Sequence, residues 1–143
     1  MADACECHAI VQSIMHPYQR LIVWQRAHAL AASLYEESAL DESPRYRSLV
    51  DQIRRCAASI AANIAEGAGS GSQSSFAWYL GISLASAHEL ESHFLLARDI
   101  GCSSPANGAR FAASITSIKR MLTALHRRVR APKRSRNNDD GGP

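Results

Sequence analysis

Apolar positions recur every three or four residues along four stretches of the chain, which is the spacing of one face of an α-helix. These stretches cover residues 18–37, 44–66, 74–100 and 106–130. The last stretch has the most regular apolar positions: Phe111, Ile115, Ile118, Leu122, Leu125 and Val129. No stretch keeps the alternation of a β-strand. Four helices with short connections predict an all-α, up-down-up-down four-helix bundle.

Residues that typically start or stop helices mark the ends of these stretches. Ser43 followed by Pro44 predicts the N-cap and the first position of the second helix. Gly67 predicts the end of the second helix and Gly101 the end of the third, because glycine is the usual residue just past a helix C-terminus. Pro132 predicts the end of the fourth helix.

The second helix carries a polar stripe beside its apolar face. At 3.6 residues per turn, the members of this stripe lie within roughly 60° of one another. The stripe is either a solvated flank or a network with partners on the third helix. Short Ser and Asn side chains favour the network, because long charged residues are more usual on a solvated flank. The predicted network consists of Gln52, Ser59, Asn63, Glu66, Ser86 and Glu89.

The third helix has two apolar faces, whereas a helix in a small monomeric bundle needs only one. We expect the face that runs from Phe76 to Ala97 to fill the core. The other face would then lie outward, and a continuous outward apolar patch with a tryptophan normally marks an interface. The residues therefore predict an oligomer rather than a monomer. Its predicted interface consists of Trp78, Ile82, Ala85, Leu96 and Ile100.

The positive charge of the chain is concentrated at its C-terminal end. The formal net charge is +3, and residues 17–126 are close to neutral. Such a basic cluster can hold the phosphates of a nucleic acid, although a basic tail is often only solvated. The candidate nucleic-acid-binding residues are Arg127, Arg128, Arg130, Lys133, Arg134 and Arg136.

The cysteines do not form a recognisable metal motif. Cys5, Cys7 and His8 resemble half of a zinc site, but no second Cys/His pair follows at zinc-finger spacing. Cys56 lies on the apolar face of the second helix and is interpreted as a small core residue. We therefore predict that the protein binds no metal.

Tests for catalytic chemistry also fail. His88 and His93 are five residues apart, about 140° around a helix, whereas the zinc protease motif needs histidines four apart. No Glu-x-x-His occurs, which argues against a di-iron bundle. The glycine-rich residues 67–72 lack the preceding strand and the Gly-Lys-Ser/Thr of a phosphate-binding loop. We predict no enzymatic activity and no cofactor.

The two ends of the chain lack helical periodicity. Residues 1–16 do not read as a signal or transit peptide, and we expect them to be disordered. Met15 could be the true start. Residues 131–143 read as a disordered polar and basic tail, which leaves residues 17–130 as the bundle. No apolar run reaches the ~18 residues of a membrane span, so the sequence predicts a cytoplasmic protein.

Four motifs of the chain carry a resemblance to a known family. They are Val23-Trp24-Gln25 with Ala27, Gln52-x-Arg54-Arg55, Ser59-Ile60-x-x-Asn63-Ile64-Ala65-Glu66-Gly67 and Ser86-x-x-Glu89-Leu90. These motifs resemble the bacterial four-helix-bundle proteins encoded in intervening sequences of large-subunit ribosomal RNA genes. The resemblance covers about residues 18–130 and implies a cytosolic, non-enzymatic bundle that assembles as a homopentamer. It extends more distantly to the accessory protein of diversity-generating retroelements, a basic pentameric bundle that binds nucleic acid.

Three functional hypotheses follow. The leading one is an oligomeric bundle that associates with nucleic acid or a ribonucleoprotein, with its affinity supplied by the C-terminal arginines. The alternative is a protein–protein scaffold with no nucleic-acid role. An enzyme that uses Asn63, Glu66 and Glu89 is the weakest reading.

Overall fold

The computed structural model describes residues 17–36 and 40–131. Within this part of the chain there are four α-helices and no β-strand: α1 is Ile22–Glu36, α2 is Arg47–Gly69, α3 is Gln73–Asp99 and α4 is Pro105–Arg130. A 3-10 turn, Pro17–Arg20, precedes α1. The predicted all-α class is confirmed, and none of the described helices is long and apolar enough to cross a membrane.

The four helices close around one core. Each helix packs against the next one along the chain, and α1 also packs against α4. The apolar stripes read from the sequence supply the buried side chains, and burying one such leucine or isoleucine contributes about 1.5–3 kcal/mol. The largest fully buried side chains include Leu34, Ile53, Ile60, Ile64, Leu80, Leu90, Phe111, Ile115, Ile118 and Leu122.

The first two helices begin later than predicted. The predicted first helix is interrupted, because Pro17–Arg20 is a 3-10 turn and α1 starts at Ile22. The predicted N-cap at Ser43 is wrong, since α2 starts at Arg47 after Tyr46. The Ser43 amide instead donates to Asp41 Oδ1 at 2.8 Å, and Ser43 accepts from the Tyr46 amide at 2.9 Å. These bonds form a tight turn that competes with helix initiation.

Gly67 does not end α2, contrary to the sequence prediction. The helix continues to Gly69, and Gly67 is buried where α3 crosses it. A Cβ atom at position 67 would lie 2.7 Å from Tyr79 Cβ and 2.9 Å from Phe76 Cδ2. Glycine is therefore needed here for the close approach of two helices. The left-handed backbone conformation belongs instead to Gly71, with a φ of +77°.

The ends of α3 and α4 lie within one residue of the predicted ones. Ser72 caps α3 by accepting from the Ser75 amide at 3.1 Å, and Ser104 caps α4 by accepting from the Asn107 amide at 3.2 Å. Pro105 takes the first position of α4, where its missing N–H costs nothing. Gly101 has a φ of +80° just past α3, as its predicted role requires.

One end of the bundle, called here the bridged end, is held together by bonds between its two connections. Residues 40–46 contact residues 99–105 there. The Asp41 amide donates to the Cys102 carbonyl at 2.8 Å, and Leu40 pairs with Ser103 in an isolated β-bridge. Tyr46 is buried and donates its hydroxyl to the Ile100 carbonyl at 2.9 Å. These bonds satisfy backbone groups that the helix ends would otherwise leave unpaired.

Candidate functional site

The polar stripe of α2 lies against α3, and the two helices run antiparallel along it. Ser59 Oγ and Ser86 Oγ are 3.0 Å apart. Toward the α2–α3 connection, the Tyr79 hydroxyl donates to Glu66 Oε1 at 2.8 Å. We call this line of contacts the polar seam. Because the two helices are antiparallel, residue numbers rise along α2 where they fall along α3. Each α2 residue of the seam therefore faces a defined position on α3.

Ser59 is the centre of the polar seam. Asn63 Nδ2 donates to the Ser59 carbonyl at 2.8 Å and to Ser59 Oγ at 3.0 Å. Together with Ser86, these residues form a chain of hydrogen bonds that joins the two helices. Beside them the fully buried Ser83 donates to the Ile60 carbonyl at 2.9 Å. The structure thus brings together three of the six residues of the predicted network.

The other three predicted members of the network lie apart. Glu66 bonds to Tyr79, and Glu89 is exposed at 58% of its side chain and faces His93. Gln52 is half-buried, and within the described residues it makes no hydrogen bond to the other members. The predicted pairing of Glu66 with Ser86 or Glu89 therefore does not occur.

A second cluster lies further along the polar seam, between the first half of α2 and the second half of α3. Cys56 Sγ, a Glu89 carboxylate oxygen and a ring nitrogen of His93 all lie within 4.8 Å of one another. Burial, followed in size by the Glu89 carboxylate, raises the pKa of the Cys56 thiol to about 11. This cluster was not predicted from the sequence, because Cys56 was interpreted only as a core residue. The missing information was the register of α2 against α3.

The outer face of α3 consists of the five predicted interface residues. In the single chain, Trp78 is 63%, Leu96 49% and Ile100 40% exposed. Ala85 is also exposed, whereas Ile82 is half-buried. The other apolar face of α3 is in the core, where Leu80 and Leu90 are fully buried. The predicted division of α3 into an inner and an outer face is thus present, and an oligomer interface stays a prediction.

The basic end is opposite to the bridged end. It comprises the α2–α3 connection and the last turn of α4. Gln73, the first residue of α3, donates its side-chain amide to the carbonyls of Val129 and Ala131, so the start of α3 and the end of α4 are adjacent. The last turn of α4 presents three exposed arginines: Arg127, Arg128 and Arg130. The predicted Lys133, Arg134 and Arg136 lie outside the described residues, as do Cys5, Cys7 and His8.

The charge of α4 differs from that of the other three helices. Its sequence contains six Lys or Arg residues and no Asp or Glu. One of these cations is neutralised across the bundle, because Lys119 Nζ lies 2.6 Å from Glu91 Oε2 on α3. The arginines of the last turn lie beyond that ion pair, beside the carbonyl end of the helix dipole, which favours positive charge.

Comparison with models of known protein families gives a match. A family model described as 23S rRNA-intervening sequence protein matches residues 19–124. No curated protein matches the chain. The matched segment includes nearly the whole bundle and all four motifs on which the resemblance was based. The chain therefore belongs to the 23S rRNA-intervening sequence protein family.

Proposed function

We propose that the protein is a non-enzymatic, oligomeric bundle that binds RNA or DNA through its basic end. The observation that carries this proposal is the charge of α4, which has no acidic residue and ends in three exposed arginines. Exposed clustered guanidinium groups attract phosphates, and the release of counterions from the nucleic acid supplies the affinity.

The two ends of the bundle differ in their exposed charges. At the basic end, the last turn of α4 presents three exposed arginines, and α4 has no acidic residue that could neutralise them. At the bridged end, in contrast, acidic and basic residues are mixed: Asp41, Glu42, Arg45, Arg47, Arg98 and Asp99.

The hydrogen bonds of the polar seam support a non-enzymatic role. Asn63, Ser59 and Ser86 bond to one another and thereby use the groups that a catalytic site would direct at a substrate. Such a chain of bonds fixes the register of two helices. We therefore assign the seam a structural role and the basic end the binding role.

A protein–protein scaffold is the second candidate function. It is favoured by the outer face of α3, because an exposed tryptophan and exposed aliphatic side chains further along the same face are typical of an interface. The two functions use different surfaces, so they can be separated experimentally. Substitutions on the outer face of α3 would affect the scaffold, whereas substitutions at the basic end would affect nucleic-acid binding.

Fluorescence anisotropy with labelled single-stranded RNA and duplex DNA tests the leading proposal. We expect the triple variant Arg127→Gln, Arg128→Gln, Arg130→Gln to lose about tenfold or more in affinity at low salt. The reason is that each substitution removes one contact between an arginine and a phosphate. The matched control carries the same charge change at the bridged end: Arg45→Gln, Arg47→Gln and Arg98→Gln.

The control variant should keep the wild-type affinity, and both triple variants should keep the helical circular dichroism of the wild type. Equal weakening by the two variants would mean that net charge alone, and not the basic end, causes binding. A wild-type protein that binds neither probe would contradict the proposal and leave the scaffold function.

A further inference from the structure

Three side chains with different ligand atoms converge at the seam between α2 and α3. They are the Cys56 thiol, the Glu89 carboxylate and the His93 imidazole, whose candidate atoms lie within 4.8 Å of one another. Glu89 Oε1 and His93 Nε2 are 3.5 Å apart. Two ligands about 2.0–2.1 Å from a tetrahedral zinc ion are separated by roughly 3.3 Å. Glu89 and His93 are therefore already spaced as two zinc ligands are, and Cys56 lies within 4.8 Å of both.

The imidazole of His93 shows a second unusual feature. Its Nε2 atom is buried and has no hydrogen-bond partner among the described residues. Buried polar atoms nearly always have a partner, and each exception calls for an explanation. Nε2 is also the ring nitrogen that lies next to Glu89. An ion bound between these two side chains and Cys56 would give this nitrogen its missing partner.

The helices hold the three side chains in place. Glu89 and His93 are four residues apart on α3 and therefore project from the same side of that helix. Cys56 reaches them from α2, one turn from Ser59, whose bond to Ser86 fixes the two helices in register. The exposed side chain of Glu89 leaves a path from solvent. A thiolate, an imidazole and a carboxylate are the ligand types that zinc accepts.

We propose that Cys56, Glu89 and His93 bind a zinc ion, with a water molecule at the fourth position. Binding of the ion releases the thiol proton of Cys56 to solvent, and the resulting thiolate and the carboxylate together neutralise the charge of the ion. This site is independent of the proposed nucleic-acid function, because it lies on the α2–α3 seam rather than at the basic end.

Cobalt(II) titration of the full chain tests the proposal, since Co²⁺ occupies zinc sites and its thiolate complexes absorb in the near ultraviolet. All proteins carry Cys5→Ser and Cys7→Ser, so that the N-terminal cysteines cannot contribute. We expect one Co²⁺ per chain, a thiolate-to-cobalt absorption band and displacement of the cobalt by Zn²⁺. Cys56→Ser should abolish the band, and Glu89→Gln or His93→Gln should weaken cobalt binding by about tenfold or more.

Two matched controls distinguish the site from a nonspecific effect. Cys102→Ser removes the other buried cysteine, and His88→Gln removes a histidine on an exposed part of the same helix. Both controls should bind cobalt as the parent does. No band in the parent, a band that survives Cys56→Ser, or an equal loss in the controls would overturn the proposal. If Cys56→Ser fails to fold, the cobalt affinities of His93→Gln and His88→Gln are compared instead. Equal affinities of these two variants would overturn the proposal.

Discussion

The two ends of the bundle differ in how the backbone groups at the helix termini find hydrogen-bond partners. At each end, helix termini leave backbone groups that need partners. At the bridged end, the two connections pair with each other through Leu40, Asp41 and Tyr46, and the surrounding charges are mixed. At the basic end, the short α2–α3 connection contacts the end of α4 through Gln73, and positive charge dominates.

We propose from this difference that the bridged end stabilises the fold and that the basic end is the surface for an anionic partner. Bonds that cross between connections restrict motion and leave few groups for a ligand. Exposed arginines at a helix end contribute little to stability, because exposed charges are screened by water and salt. Their concentration at one end is therefore better explained by binding than by folding.

The largest expected effect concerns the assembly of the chain into an oligomer. Assembly would increase the difference in charge between the basic end and the bridged end. In a closed ring, rotational symmetry places all copies of the basic end at the same level along the axis. The family resemblance implies five subunits, so light scattering should give about 78 kDa, five times the 15.6 kDa chain. Trp78→Glu should reduce this mass toward one chain, because a buried interface would then hold an unpaired charge.

The matched control for assembly is Glu66→Gln, a change on the neighbouring helix that leaves the outer face of α3 intact. It should keep the wild-type mass. A wild-type mass near that of one chain at micromolar concentration would contradict the prediction, and the outer face of α3 would then need another partner.

The next largest effect concerns the tight contact between α2 and α3 at Gly67, near the basic end. Gly67→Ala should lower the free energy of unfolding by about 1–3 kcal/mol, because the new methyl group meets the Cβ atom of Tyr79, which cannot move without the backbone. Gly69→Ala is the control, since Gly69 is exposed in the same helix. It should be neutral or slightly stabilising. Urea unfolding of both variants measures the difference, and equal stabilities would refute the close approach.

The polar seam should contribute less. Asn63→Leu removes the donor that bonds twice to Ser59, and we expect a loss of about 1 kcal/mol in unfolding free energy. Ala62→Leu, an adjacent exposed position of the same helix, is the control for added apolar volume. A melting temperature of Asn63→Leu that matches the control would show that the Ser59 bonds add no stability.

A stability effect of similar size is expected at the bridged end, where one hydrogen bond can be removed alone. Tyr46→Phe keeps the buried ring and removes only the hydroxyl that donates to the Ile100 carbonyl. One such hydrogen bond contributes about 0.5–1.5 kcal/mol. Thermal unfolding should show this loss without a change in nucleic-acid affinity. A loss of affinity in this variant would contradict the separation of the two ends.

The sequence predicts the helices and the core because both follow from local periodicity. The inner face of α3 and the regular stripe of α4 are buried where the spacing placed them. The end of α3 at Gly101 is likewise set by nearby residues. Ser43 shows the limit of this reasoning, since Asp41 binds its amide and delays the start of α2.

The features that were not predicted from the sequence depend on the register and separation of two packed helices. Gly67 has the sequence context of a helix end, and its role in packing is visible only once Tyr79 lies against it. The convergence of Cys56 with Glu89 and His93 depends on the register of α2 and α3 in the same way. Ser59 and Ser86 could be placed in one predicted network, because small polar residues beside an apolar face need partners, but their direct pairing was not predicted.

The salt dependence of nucleic-acid binding tests the central claim most directly. The slope of log affinity against log salt concentration counts the phosphate contacts that release counterions, at about 0.7 per contact for a single strand. The basic-end triple variant should flatten this slope by about 2 for each bound chain, equally for RNAs of unrelated sequence. The bridged-end triple variant should leave the slope unchanged. A basic-end variant with the wild-type slope would contradict the account, because the phosphates would then be held elsewhere.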